Sequence, residues 1–192
     1  MLGFVPQPCK AVLLCRPSGM NRVPRPDPSS VPGAESVNPW YMTQTDALGN
    51  ACGNIAVMHA VANTINAGLL SVDPESKLGA FLSATADSTP LERGTAFEGD
   101  EEVRSTHNSA ASEGQSDQPS TQESVAAHFI CFTAVDGILY ELDGRKDGPI
   151  PLAAVTDETF LSEAAAAIKT YFMDPNPDVV GFSMIAFSLQ QE

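Results

Sequence analysis

Apolar residues in the first half of the chain follow strand-like runs and helix-like repeats in turn. The short apolar run at residues 10–15 predicts a buried strand, and residues 40–42 predict a second short strand. From Ile55 onward, apolar residues recur at helical spacing, and this helix is predicted to end near Gly68. Asp73-Pro74 and Thr89-Pro90 each combine a capping residue with proline, which predicts two further helix starts.

The second half of the chain becomes rich in β-prone residues. The runs at residues 128–135 and 138–142 flank Asp136-Gly137, a dipeptide typical of tight hairpin turns. A second turn is predicted over residues 143–149, a helix over 157–172 and a last strand over 182–189. The prediction is therefore one domain, residues 1–192, that contains both helices and strands.

Two segments interrupt this pattern. Residues 16–39 carry four prolines between positions 24 and 32 and predict an irregular or disordered segment. Residues 98–127 are rich in serine, threonine, glutamine and acidic residues, with few large apolar ones. A loop of this length inside a compact domain is usually functional or disordered.

Charge and cysteine usage narrow the possible partners. The 192 residues carry a net charge of −14, of which residues 1–40 contribute +2. An acidic chain repels phosphate backbones, so nucleic acid is not an expected partner, whereas a basic partner would be attracted. The charge could equally serve solubility alone. No apolar run approaches the roughly 20 residues of a membrane span, so no membrane partner is expected.

The four cysteines show no metal-binding spacing and no disulfide framework. No metal or other cofactor is therefore expected. This usage fits a reducing compartment, and the predicted location is the cytoplasm, with the nucleus as an alternative.

Cys52 is the first candidate for chemistry, because it lies where a glycine- and asparagine-containing loop becomes a helix. A helix N-terminus favours a thiolate over a thiol. A nucleophile also needs a base, an orienting group and an oxyanion donor. His128 at a strand start, Asp143 at a strand end and Gln44 upstream could supply them.

Each of these residues also has an ordinary interpretation. Cys52 could pack the helix start, His128 could simply begin a strand, and Asp143 could be a turn aspartate. Gln44 could be exposed to solvent. Two further histidines are weaker candidates: His59 is expected to pack within the helix, and His107, in the polar loop, is expected to be solvated.

Several motifs taken together resemble one known family. They are the block at residues 49–53 with Gln44 upstream, the block at 128–130 and the block at 139–146. In this order and spacing, they resemble the small single-domain ubiquitin C-terminal hydrolases, which are papain-like cysteine deubiquitinases. The resemblance implies an α+β, papain-like fold with a mostly antiparallel central sheet flanked by helices.

The resemblance also implies residue roles. Cys52 would be the nucleophile, His128 the general base and Asp143 its orienter. Gln44 and the backbone N–H of Cys52 would stabilise the oxyanion. The reaction would pass through a thioester with the C-terminal glycine of ubiquitin. Residues 98–127 would form a crossover loop over the active site that admits small or unfolded adducts.

Ubiquitin is the partner that the resemblance implies, and ubiquitin-like modifiers are an open alternative. The protein is expected to act as a monomer. Two departures from the family pattern are visible: Gln44 and Cys52 are eight positions apart, two more than in the family, and a further N-terminal segment is expected but absent. The family's knotted threading is therefore an open question.

These departures keep two alternatives open. One is a catalytically impaired ubiquitin-binding protein. The other is an unrelated papain-like protease that cleaves peptides.

Overall fold

The computed structural model describes residues 2–21, 23–45, 51–100 and 127–189. Its centre is a five-stranded sheet in the order β4-β3-β2-β1-β5, in which every neighbouring pair is antiparallel. The strands are β1 (Cys9–Pro17), β2 (Ala127–Val135), β3 (Ile138–Leu142), β4 (Ile150–Ala154) and β5 (Ser183–Ser188). The expected mostly antiparallel sheet is confirmed.

In the described part of the chain, four α-helices accompany this sheet: α1 (Cys52–Asn66), α2 (Lys77–Ala84), α3 (Pro90–Gly99) and α4 (Phe160–Ile168). A π-helical turn at Lys169–Met173 continues α4. Short 3₁₀ turns lie at Leu2–Phe4, Pro28–Ser30 and Ala34–Ser36. Within these described residues, no helix is long and apolar enough to cross a membrane.

The central strands β1, β2 and β3 are buried on both faces because their alternate residues face different helices, whereas most of the edge strand β5 is exposed. Leu13 and Cys131, opposite each other in β1 and β2, pack with Ala56 and Ala60 of α1. Leu14 and Ile130, also opposite each other, pack with the α4 side of the core. The period-two alternation of a strand therefore places α1 on one face and α4 on the other.

Several predicted elements are confirmed. The predicted hairpin is present, and its turn is formed by Asp136 and Gly137, both of which have positive φ, as a type I′ turn requires. The helix after Thr89 begins with a capping box formed by Thr89 and Glu92. Gly68, just past α1, has a φ of +69°.

Three predictions need correction. Residues 40–42 are extended but belong to no strand, because side chains of α1 bind their backbone. The helix predicted from Asp73-Pro74 begins at Lys77, capped by Ser76, because Asp73 closes a separate turn. The edge strand β4 was not predicted, because Pro151 and the preceding turn-rich residues conceal its pattern.

Candidate active site

Cys52 is the first residue of α1. The first N–H groups of a helix have no carbonyl in a preceding turn to bond, and they carry the positive end of the helix dipole. The thiol also forms a hydrogen bond with the backbone of Phe129, near the start of β2. Cys52 therefore lies between a helix N-terminus and the sheet edge, where a negative sulfur is favoured.

His128 and Asp143 form a buried pair across the β2–β3 hairpin. The two strands pair antiparallel, with Cys131 opposite Leu142, so the start of β2 and the end of β3 lie side by side at the same end of the sheet. His128 Nε2 lies 2.6 Å from Asp143 Oδ1, and both side chains are almost fully buried. Asp143 Oδ1 also accepts a hydrogen bond from the Arg145 backbone N–H at 3.0 Å, which holds the carboxylate in place.

The two partners stabilise each other's charge. Burial lowers the pKa of His128, but hydrogen bonds with Asp143 and Cys52 outweigh it, so the pKa is raised. Burial raises the pKa of Asp143, but the hydrogen bond and charge of His128 outweigh it, so the pKa is lowered. The pair therefore favours an imidazolium facing a carboxylate more than the two separate groups would.

Cys52 differs from the other three cysteines. Burial raises its pKa, but the side-chain hydrogen bond with His128, the backbone of Phe129 and the charges of His128 and Arg145 together lower it. Burial raises the pKa of the remaining thiols, Cys9, Cys15 and Cys131. Cys52 is the only cysteine whose surroundings favour the thiolate. Because Nε2 of His128 binds Asp143, Nδ1 is the ring nitrogen left for the thiol.

Gln44 lies beside the residue that follows Asp143. Its backbone N–H donates to the Gly144 carbonyl at 2.8 Å. A Cβ on Gly144 would lie 2.8 Å from Ile55 Cγ2 and 3.2 Å from Gln44 Cβ, so Gly144 fits between the first turn of α1 and Gln44. The two extra residues between Gln44 and Cys52 were predicted within residues 45–48, and of these residues 46–48 lie outside the described residues.

His59 has the packing role that the sequence predicts. It is fully buried in α1, with Nε2 3.1 Å from both the backbone N and O of Met42. Burial lowers its pKa to about 4, against the opposing effect of backbone hydrogen bonds with Met42 and Leu142. His107 and most of the predicted crossover loop, residues 101–126, lie outside the described residues.

Sequence reasoning missed two residues near the site. Asn63, four positions after His59, binds the Trp40 backbone. Tyr41 Oη lies 2.6 Å from the Asp143 carbonyl oxygen and 2.7 Å from that of Lys146, and its one proton is donated to one of them at a time. The i, i+4 spacing of His59 and Asn63 was a visible signal of a shared helix face. The described part of the chain contains no group of three or more histidine, cysteine or acidic residues that could hold a metal ion.

Comparison with known proteins identifies the family of the chain. The profile of the family described as "Ubiquitin carboxyl-terminal hydrolase, family 1" matches residues 1–173. The chain belongs to this family. Its predicted class, a cysteine-type deubiquitinase, is confirmed at the level of the family.

Relatives from distant organisms match the chain over most of their length. This ubiquitin carboxyl-terminal hydrolase family member is 36% identical to ubiquitin carboxyl-terminal hydrolase 3 of Arabidopsis thaliana, over 98% of this chain and 78% of the relative. It is 37% identical to isozyme L1 of Homo sapiens, over 96% of this chain and 81% of the relative.

A solved structure confirms the fold. The catalytic domain of Trichinella spiralis UCH37, bound to ubiquitin vinyl methyl ester, superposes with a TM-score of 0.65 at 21% identity. The match covers 97% of this chain and 81% of that domain. The predicted papain-like α+β fold is therefore confirmed.

Proposed function

We propose that this protein is a thiol-dependent hydrolase that cleaves adducts from the C-terminal glycine of ubiquitin, with Cys52 as nucleophile, His128 as general base and Asp143 as its orienter. The observation that carries the proposal is the contrast among the four cysteines. The thiol at the start of α1, beside the buried His128–Asp143 pair, is the one whose pKa is lowered. Family membership supports ubiquitin as the substrate.

The chemistry follows from the positions of these groups. The Cys52 thiolate attacks the carbonyl carbon of the terminal glycine, and the backbone N–H of Cys52 and the side-chain amide of Gln44 stabilise the oxyanion. His128, protonated at the nitrogen that faces the thiol, gives its proton to the leaving amine or thiol. Water then attacks the thioester, with the neutral imidazole of His128 accepting a proton, and Cys52 is released.

Asp143 makes this proton transfer possible by holding the imidazole. Its 2.6 Å hydrogen bond to Nε2 fixes the ring orientation and leaves Nδ1 as the nitrogen available to the thiol. The positive charge of Arg145 lowers the pKa of Cys52 and also that of His128, so it favours the thiolate while it opposes the imidazolium. Asp143 and Arg145 thus act on the reaction through His128 and Cys52.

A ubiquitin probe with a C-terminal vinyl methyl ester tests the nucleophile. The wild-type chain should form one covalent adduct, and mass spectrometry should locate it on Cys52. Cys52→Ala should abolish the adduct, whereas Cys15→Ala, the matched control with a thiol of raised pKa, should keep it. A folded wild-type chain that forms no adduct would contradict the proposal.

Two other outcomes would identify the alternatives. Tight ubiquitin binding without turnover of a C-terminal ubiquitin coumarin amide would indicate an impaired ubiquitin-binding protein. Cleavage of peptides without any ubiquitin binding would indicate an unrelated protease.

The preference for small or unfolded adducts is a further part of the proposal. It rests on the crossover loop that the family resemblance implies over residues 98–127. A series of ubiquitin conjugates with leaving groups of increasing size tests it. Hydrolysis should fall sharply once the leaving group is a folded domain, and equal rates along the series would contradict the size limit.

A further inference from the structure

The extended segment Trp40–Gln44 lies beside the site but outside the sheet. Its backbone groups bind partners other than a neighbouring strand. The Trp40 N–H donates to Asn63 Oδ1 at 2.8 Å, and Asn63 Nδ2 donates to the Trp40 carbonyl at 2.9 Å. Two residues further on, the Met42 N–H lies 3.1 Å from His59 Nε2. Side chains of α1 thus replace the backbone of a partner strand.

The spacing of these contacts fits an extended chain that lies along a helix. His59 and Asn63 are four residues apart, a rise of about 6.0 Å along a helix, and alternate residues of an extended chain are about 6.6 Å apart. One turn earlier along α1, Ile55 packs against Gly144, whose carbonyl accepts the Gln44 N–H. The three successive turns of α1 therefore align with Trp40, Met42 and Gln44, and Cys52 begins the same helix.

Both side chains are suited to holding backbone rather than to proton transfer. His59 and Asn63 are buried, and Asn63 is held in turn by donating to the His59 carbonyl at 2.8 Å. The His59 ring stacks on Tyr41 with 4.9 Å between centroids. Tyr41 Oη donates to the Asp143 carbonyl at 2.6 Å, which ties the same segment to the loop of the proposed orienter.

We infer that His59 and Asn63 are positioning residues: they set the register of the Trp40–Gln44 segment on α1 and so place Gln44 relative to Cys52. The inference rests on the function proposed above. In this inference, the oxyanion donor Gln44 is placed by contacts of the segment that precedes it, and the residues between Gln44 and Cys52 are not needed to place it. The position of the Gln44 backbone then depends on α1 and Gly144 rather than on the length of that connection.

A double-mutant cycle tests whether the effect passes through Gln44. With a ubiquitin coumarin amide as substrate, Asn63→Ala should lower kcat about tenfold, since a displaced oxyanion donor is lost in part, and leave KM within about twofold. Gln44→Ala alone should lower kcat by about 10²–10³-fold. The double variant should match Gln44→Ala, because the donor that Asn63 positions is already gone.

Two controls separate positioning from general damage. Asn66→Ala, at an exposed position of the same helix, should keep wild-type kinetics. Alkylation of Cys52 by iodoacetamide should proceed at the wild-type rate in Asn63→Ala, because the thiol, His128 and Asp143 are unchanged. Asn63→Gln, which keeps the amide acceptor and both donors on a side chain one methylene longer, should give a smaller kcat loss and serves if the alanine variant does not fold.

Hydrogen exchange gives a readout that does not depend on ubiquitin. Amides of residues 40–44 should exchange at least about tenfold faster in Asn63→Ala than in the wild type, with β2 unchanged. Unchanged exchange there, an unchanged kcat, or a double variant whose loss is the product of the two single losses would each overturn the inference. If Asn63→Ala shows this faster exchange but the wild-type chain does not hydrolyse ubiquitin adducts, the proposed function alone is overturned.

Discussion

Two buried histidines of this protein have pKa values that are shifted in opposite directions. His59, fully buried in α1, has its pKa lowered by burial to about 4. His128, almost as deeply buried in β2, has its pKa raised. The difference lies in the partner, because His59 meets backbone groups of Met42 and Leu142, whereas His128 meets the carboxylate of Asp143.

The comparison shows that burial alone does not make a histidine inert or reactive. Hydrogen bonds with neutral backbone groups compensate too little for the desolvation of an imidazolium. A buried carboxylate at 2.6 Å reverses the balance. The neutral ring of His59 is therefore a fixed hydrogen-bonding group, and the ring of His128 can hold and release a proton.

Exchanging each histidine for glutamine should separate the two roles most strongly. His128→Gln should lower kcat/KM for a ubiquitin coumarin amide on the order of 10²–10⁴-fold, because it removes the proton carrier. The pKa of Cys52 should also rise, since the hydrogen bond with His128 is the largest influence that lowers it. Kinetics and the pH dependence of thiol alkylation measure the two effects.

The matched variant is His59→Gln, which should reduce kcat far less and leave alkylation of Cys52 at the wild-type rate. Equal losses in the two variants would contradict the distinction between them.

Removal of the carboxylate should make His128 resemble His59. Asp143→Asn should lower the pKa of His128, because its main stabilising partner becomes neutral. Turnover should fall roughly 10²–10³-fold, less than in His128→Gln, since the imidazole remains beside the thiol. The pH profile of iodoacetamide alkylation should show less thiolate near pH 6, and a profile identical to that of the wild type would contradict the role of Asp143.

The two histidines should also make the free energy of unfolding depend on pH in opposite directions. The folded-state pKa of His59 is depressed, so its contribution is present above the unfolded pKa of about 6.5 and is lost as the pH falls toward about 4. The expected loss is about 3 kcal/mol. The raised pKa of His128 gives a contribution that is present below about pH 6.5 and is lost as the pH rises through its folded-state value.

Urea unfolding between pH 4 and pH 9 measures both slopes. Asp143 loses its partner in His128→Gln, so the acidic side of that variant changes as well. The alkaline side therefore isolates His128, and the acidic side of His59→Gln isolates His59. His59→Gln should flatten the acidic side and His128→Gln the alkaline side, and the reverse assignment would break the comparison.

The smallest expected effect concerns the segment that His59 binds. Gly94 of α3 faces the Thr43 carbonyl so closely that a Cβ would overlap it. Gly94→Ala should therefore push the segment away and lower the free energy of unfolding by roughly 1–2 kcal/mol, despite the better helix propensity of alanine. Gly99→Ala, where a Cβ meets no neighbour within 4 Å, is the control and should not destabilise the protein.

Regular patterns in the sequence predicted most of the elements. The Asp136-Gly137 hairpin and the Thr89-Pro90 capping box depend on local turn and cap chemistry, so both were predictable. Residues 40–42 misled the prediction because β-prone residues show only that an extended chain is favoured. Which groups bind its backbone depends on α1, and those side chains lie about 20 residues further along the chain.

The sequence by itself determined the residue types and their order: a cysteine at a helix start, a histidine and an aspartate at the ends of a hairpin, and a glutamine upstream. Only the tertiary structure decided which histidine faces a carboxylate and which faces backbone, and which of four thiols has a lowered pKa. The reason is physical. Local patterns encode the conformation of each segment, whereas pKa shifts depend on burial and on charges that the fold brings within a few ångströms.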